Sequence, residues 1–431
     1  MSEPAVRYRV LDRTRRSEVS LDEQLPADHP VRVVWDFVTR LDLSAFDRPT
    51  KAVEGHPGAP VIPAQLLFAL WLFAIIDGTV SARRLGQLCQ RDLPFQWLCG
   101  ADPVNYHTLA DFYSAHEPAL RALFVEHVAA LRQQDLIELH TVTLDGRKVS
   151  ADASKDGARR APTLQAHQEE ARAHLQRLEA ARNQEAALGP RRAAARRRGA
   201  RERVERLERA LEVVQRRQQQ RRDSKRTDSK PEDARASATD PDAAKMKMPD
   251  GGYRLAYNVE TVTDEATGLI VTVAVTDQGC DNGQLGPLLE QVEQQQGQRP
   301  RRVLVDSGFA DAEDIAALEG KGVEVLMPPR DEAKDQQAGR DPYARKRRDS
   351  DAVAAWRARM GTTAARAQYR RRAPVAEGVH AQQANHGWRR LRLRGRVKAQ
   401  AEAWWQALGH NLRRLLARGI ALVRTVRAVR G

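Results

Sequence analysis

The sequence predicts an α/β protein: a mixed sheet with helical layers, preceded by an all-α region and interrupted by a charged helical insertion. Three observations carry that expectation. Apolar positions such as Val34, Phe37, Val38 and Leu41 recur at helical spacing across residues 31–136. Alternating strand-like segments begin at 138 and return after 242, now interleaved with helices. The stretch between, 162–220, is helical in pattern and dense in charge.

The 431 residues exceed the length at which one core usually stops growing. The pattern divides them into a helical N-terminal domain (1–137) with possible DNA binding, a first strand region (138–161), a charged insertion with its linker (162–242), and the remainder of the sheet domain (243–431). Within the first part, VIPAQLLFALWLFAII (61–76) is shorter than a bilayer span and interrupted by Pro63 and Gln65, so it reads as a buried helix. Ser81 and Thr108 precede shorter helices as start signals. These helices could include a helix-turn-helix, or serve only as packing elements.

LHTVTLDGRKVSADAS reads as a strand that ends in a turn at Gly146. In the insertion, Leu175 and Leu178 line one arm and Val204, Leu207, Leu211 and Val214 the other, with Gly189-Pro190 as the break of a hairpin. Residues 223–242, rich in Ser, Asp, Lys and Pro, read as a flexible linker. YRLAYNVETVTD and GLIVTVAVTD form a hairpin, QLGPLLEQVEQQ a helix, RRVLVDSGF a buried strand, AEDIAALEGKG a helix closed by Gly322, and VEVLMPP another strand.

Charge narrows the function. Lys and Arg total 71 against 57 Asp and Glu, a formal net charge of +14, and such a field attracts polyanions, nucleic acid first. A biased composition that favours solubility is the plainer alternative. Three cysteines without CxxC spacing indicate neither a disulfide framework nor a zinc site, which fits a reducing cytoplasm. The N-terminus lacks the apolar core of an export signal, and His107, His116 and His410 lack the paired spacing of a zinc motif and read as structural.

Two aspartates stand at strand ends beside turns: Asp145 after VTL, and Asp306 after VLV. Each alone reads as well as a turn aspartate. Together, in a basic protein, they suggest a site for hard divalent cations, which prefer carboxylate oxygens. Two cations about 3.5–4 Å apart can stabilise both ends of an in-line phosphodiester displacement. A third acid is then needed, and Glu377, in RRRAPVAEGVHAQ, is the candidate; its plainer reading is a solvated glutamate paired with Arg371 or Arg372. Basic clusters at 191–203, 345–348 and 389–396 could neutralise phosphates, with Arg389, Arg390 and Arg394 nearest the candidate acids. Trp388 could stack on a base or belong to the core.

DHPVRVVWDFV, SARRLGQLCQRDLPFQWLCG, HTLADF, TLDGRKVSADAS, DPDA, YNVETVTDEATGLIV, VDSGFADAEDI, APVAEGVHA and RGRVKAQAEAWWQALGHNL run in an order and spacing that resembles the bacterial insertion-sequence DDE transposases with an InsH-like helical N-terminal domain. The resemblance covers nearly the whole chain. It implies a ribonuclease-H-like catalytic domain with Asp145, Asp306 and Glu377 as a metal-binding acidic triad. It also implies Mg²⁺ or Mn²⁺ as cofactor, two ions in number, and DNA at transposon ends and target as partner. A homo-oligomer on DNA and a cytoplasmic, nucleoid-associated location follow from the same likeness. Clustered carboxylates should raise the proton affinity of at least one member.

Five positions depart from the family pattern: Arg147, Asp152, His380, Ala384 and Arg396. The competing expectations are a decayed transposase that only binds DNA and a metal-dependent nuclease that cuts without joining.

Overall fold

The computed structural model describes residues 19–47, 61–181, 189–223 and 230–419. The N-terminal region consists of helices α1 (Leu21–Gln24), α2 (Pro30–Thr39), α3 (Ala64–Asp77), α4 (Ala82–Arg91), α5 (Leu93–Cys99), α6 (Tyr106–Ala115) and α7 (Glu117–Gln133). Helix α3 is apolar all round and buried along most of its length, as its sequence requires. No single helix among the described residues is long and apolar enough to cross a membrane. Ser81 caps α4 as expected. Helix α6 starts two residues before Thr108, because the Asn105 side chain accepts from the His107 amide at 2.9 Å and caps it there.

Strands β1 (Thr141–Ser150) and β2 (Ala158–Arg159) follow, then the antiparallel arm of α8 (Ala161–Ala180) and α9 (Pro190–Asp223). β3 (Ala236–Ser237) returns to pair with β2. The rest comprises β4 (Ala244–Lys247), β5 (Tyr253–Asp264), β6 (Ile270–Thr276), α10 (Leu285–Gln296), β7 (Arg302–Leu304), α11 (Ala312–Gly320) and β8 (Glu324–Leu326). It ends with α12 (Glu332–Gln337), α13 (Asp351–Met360), α14 (Thr363–Tyr369), α15 (Arg372–Asn385) and α16 (Arg396–Ala417).

The main sheet has the order β4-β5-β1-β7-β8, with β6 also paired to β5. β1 is antiparallel to β5 and parallel to β7, and β7 is parallel to β8. Read through β6, the order is β6-β5-β1-β7-β8: an antiparallel meander continued by two parallel strands, which is the ribonuclease-H-like arrangement. Two expectations are corrected here. β1 does not end at Gly146 but runs through it, since Gly146 pairs with Glu260 in mid-ladder. The expected flexible linker is ordered from 230 onward: Ala234 and Ala236 are buried against Leu164, Ala171, Leu207, Ala210, Val213 and Val214 of the arm. Residues 224–229 of that linker lie outside the described residues.

One core runs from Leu25 to Leu415 and joins the N-terminal helices to the sheet through α16. Trp405 packs on Phe68 and stacks with Tyr113, while Trp404 meets Phe124 and donates to Glu117 at 3.0 Å. On its other side α16 covers the open edge of β6. Asn411 accepts from the Ile270 amide at 2.7 Å and donates to its carbonyl at 2.9 Å; Gln400 does the same for the Val275 amide and the Val273 carbonyl. An edge strand whose backbone groups are paired this way cannot recruit another chain.

Candidate active site

Asp145 and Asp306 are brought together by strand register. β1 and β7 pair Thr141 with Arg302 through Thr143 with Leu304, so two residues further on Asp145 stands beside Asp306. Side chains alternate across a strand, so both carboxylates share one face, on strands about 4.8 Å apart. Asp306 lies in a tight turn, its Oδ1 accepting from Ser307 Oγ at 3.1 Å and the Gly308 amide at 3.3 Å. Arg330 ties down this turn through the Ser307 and Ala310 carbonyls and reaches Asn282.

Helix α15 docks on the pair. Arg372, almost fully buried, donates to Asp145 Oδ1 at 2.8 Å. His380 Nε2 stands 3.4 Å from Asp145 Oδ2 without a hydrogen bond. Burial, reinforced by the neighbouring Arg147 cation, holds the His380 imidazole neutral, with its pKa pushed down to about 3. Burial also pushes the Asp145 carboxyl up to about 6, against the pull of Arg372 and with help from the negative charge of Asp281 and Asp306. The expected rise in proton affinity is therefore present, but desolvation is its main cause and mutual repulsion adds to it.

A second carboxylate pair, not anticipated from the sequence, lies directly beside Gly146. Asn258 Nδ2 donates to Glu260 Oε1 and to Asp281 Oδ1, each at 2.6 Å. A Cβ on Gly146 would lie 2.6 Å from Asp281 Oδ1 and 2.7 Å from Glu260 Oε2, so the absence of a side chain there makes room for both acids. Glu260 is fully buried and its Oε2 has no partner. Burial first, then the Asp281 charge, pushes its carboxyl up to about 9 and keeps it protonated at neutral pH. The only signals for this pair in the sequence are a polar residue at an inward position of β5 and an aspartate in the loop after β6.

Glu377 stands exposed on α15, three residues before His380. It does not pair with the two arginines considered for it: Arg371 pairs with Glu265, and Arg372 with Asp145. Among the described residues, no three His, Cys, Asp or Glu side chains are already gathered as a metal-binding group. The donors at Asp145 and Asp306 nevertheless fit a hard divalent cation. They are carboxylate oxygens at the ends of neighbouring strand pairings, in a locally negative setting that Arg372 partly offsets.

Of the basic residues expected to meet DNA, Arg390 and Arg394 pair with Asp152, both at 2.9 Å, and Arg389 donates to the Ala384 carbonyl. All three remain on the exposed side of the chain. Trp388 is not available to stack on a base: it is fully buried, and its Nε1 donates to Glu402 at 2.9 Å. Arg147 has a structural role. Its guanidinium lies 5.1 Å from the Trp388 ring centroid and donates to the carbonyls of His380 and Trp388, fastening β1 to the end of α15. His410 is structural as expected, buried with Nε2 3.0 Å from the Gly268 carbonyl.

Comparison with known proteins accords with this geometry. Residues 223–412 match the family described as Transposase DDE domain, and residues 19–115 match the Transposase domain (DUF772) family. No curated protein and no solved structure matches the chain. The sheet order and the first of these matches define a ribonuclease-H-like DDE domain, the polynucleotidyl-transferase type of enzyme. With the second match in front of it, the two transposase domains indicate an insertion-sequence DDE transposase.

Proposed function

We propose that this transposase cleaves DNA at the ends of its insertion sequence and joins the freed ends to target DNA, with Asp145, Asp306 and Glu377 as the metal-holding triad. The observation that carries the proposal is the register of β1 and β7, which sets Asp145 and Asp306 side by side. Glu377 enters because its helix touches Asp145 through Arg372 and His380, and it is exposed on that helix within one turn of His380. Mg²⁺ or Mn²⁺ held there, as two ions, would stabilise charge on the attacking and leaving oxygens of the phosphodiester.

The chain's own contribution is positional. Arg372 holds Asp145 in place and offsets its charge, Arg330 fixes the Asp306 turn, and Arg147 locks β1 to α15. Arg389, Arg390 and Arg394 supply phosphate contacts beside the site, with Asp152 fixing the latter two until DNA competes for them. A homo-oligomer would bring two element ends together, and the place of action is the cytoplasmic nucleoid.

The test is cleavage of a labelled element-end duplex with Mg²⁺ or Mn²⁺ by the wild type and by Asp145→Asn, Asp306→Asn and Glu377→Gln, with DNA binding followed separately. Metal-dependent cleavage lost by at least about 10²-fold in all three variants, with binding retained, is the expected result. Wild-type binding with no cleavage would replace the proposal with a DNA-binding protein descended from a transposase. Loss of cleavage in the two aspartate variants but not in Glu377→Gln would remove Glu377 from the triad.

A further inference from the structure

The α8/α9 arm carries a strongly basic patch that the catalytic face does not use. Residues 190–201, PRRAAARRRGAR, contain six arginines and no acid. The last of these, Arg201, pairs with Glu179, and elsewhere on the arm acids also meet arginines across or along the helices: Arg203 with Glu170, Arg172 with Glu208, and Arg209 with Glu212. Arg191, Arg192, Arg196 and Arg198 are exposed and have no acidic partner among the described residues. Arg192 and Arg196 are four residues apart and Arg191 and Arg198 seven, so the four lie along adjoining strips of one helix surface.

The arm is anchored where it leaves the sheet and projects beyond that anchor. Val213 and Val214 sit in its own small core with Ala234 and Ala236, while Arg216 pairs with Asp277 and Arg217 donates to the carbonyls of Asp242 and Ala243. Along α9 the four arginines lie about 22–35 Å from the Val213–Val214 root, at a rise of about 1.5 Å per residue. The arm follows β1, the strand that carries Asp145, with only the short β2 between them.

We infer that this arginine strip is a second DNA-contact surface, which grips the phosphate backbone of duplex DNA outside the catalytic face. Duplex DNA fits the strip better than a membrane surface does. Apart from Arg197, the residues among and just beyond these arginines are Ala193, Ala194, Ala195 and Gly199, and no large apolar side chain stands there to enter a bilayer. Unpaired guanidiniums on a stiff helix contact phosphates without reading bases, so binding here is independent of sequence. The inference rests on the transposase reading for the identity of its polyanion, but its test does not depend on catalysis.

The experiment measures anisotropy of a fluorescent duplex of arbitrary sequence with the full chain from about 50 to about 200 mM salt. It compares the wild type with a variant carrying Arg191→Gln, Arg192→Gln, Arg196→Gln and Arg198→Gln, and with the same four positions changed to Lys. Each neutralised phosphate contributes about −0.9 to the slope of log affinity against log salt, so the Gln variant should lose about 3 to 4 from that slope and bind at least about tenfold more weakly at low salt. The Lys variant should keep most of the slope. Equal slopes for wild type and Gln variant, with metal-dependent cleavage intact, would overturn the arm's role and leave the transposase reading standing. A wild type that binds no duplex overturns both. An effect of the Gln variant on anionic phosphatidylserine vesicles and not on DNA would overturn the assignment to DNA, and a change of oligomeric state alone, at equal slope, would show a protein interface instead.

Discussion

Asp145 faces opposing demands: partial burial favours its neutral form, while Arg372 and a bound cation favour its charged form. The residue beside it sets how many acids can gather there. Because a Cβ on Gly146 would press on Asp281 and Glu260, Gly146→Ala must displace at least one of these side chains, and overpacking of this kind costs about 1–3 kcal/mol. The variant should unfold at lower urea concentration than the wild type and lose cleavage; an unchanged midpoint would show that the two acids yield freely. At this scale the sequence was partly legible. Asp145 and Asp306 stand out in the sequence because each follows a short apolar run and precedes Gly or Ser-Gly, although the turn expected at Asp145 is absent and β1 continues through Gly146. Arg372 and Glu260 were not: Arg372 stands 227 residues from the aspartate it holds, and nothing in the pattern of β5 distinguishes a buried acid pair from a polar alternation.

Among the elements, α16 does most to unite the chain, and Glu402 shows how. Fully buried in mid-helix, Glu402 accepts from Trp388 Nε1 and from the amides of Arg392 and Leu393, so it holds the segment that leads from α15 and Arg147 back into the core. Burial pushes its carboxyl up to about 7 from a usual value of 4.5. An acid with a raised folded-state pKa binds its proton more tightly in the fold. Its contribution to stability is therefore full below about pH 4.5, and declines as pH rises through about 7, by about 3 kcal/mol in all. Glu402→Gln should remove that slope, so the difference in unfolding free energy between wild type and variant should shift against the wild type from about pH 4.5 to about pH 7.5. A constant difference across that range would mean that Glu402 stays charged in the fold. The hairpin of β5 and β6 was legible from its alternation. The strand β4 was not, because AKMK is too short to show alternation, and neither was the ordered return of 230–242, whose alanines are buried only because the arm is there to receive them.

For the whole molecule, the order of strands and helices after 242 follows the sequence pattern closely, and the meander plus two parallel strands is the simplest sheet that order allows. What the sequence did not reveal is that the N-terminal helices and the sheet share one core through Trp404, Trp405 and their aromatic neighbours, since such contacts span nearly three hundred residues of chain. A shared core couples the N-terminal region to the face that carries Asp145 and Asp306, and the α8/α9 arm extends the basic surface outward from it.

The proposed cutting and joining of DNA at this face can be followed by incubating the wild type and Asp145→Asn with pre-cleaved element-end duplex, supercoiled target plasmid and Mg²⁺ or Mn²⁺, and measuring covalent linkage of the labelled 3′ end to the plasmid. Metal-dependent joining by the wild type and none above background by the variant is the expected result. Cut ends that never become linked to target would contradict it and leave a nuclease; equal joining by Asp145→Asn would remove the site itself.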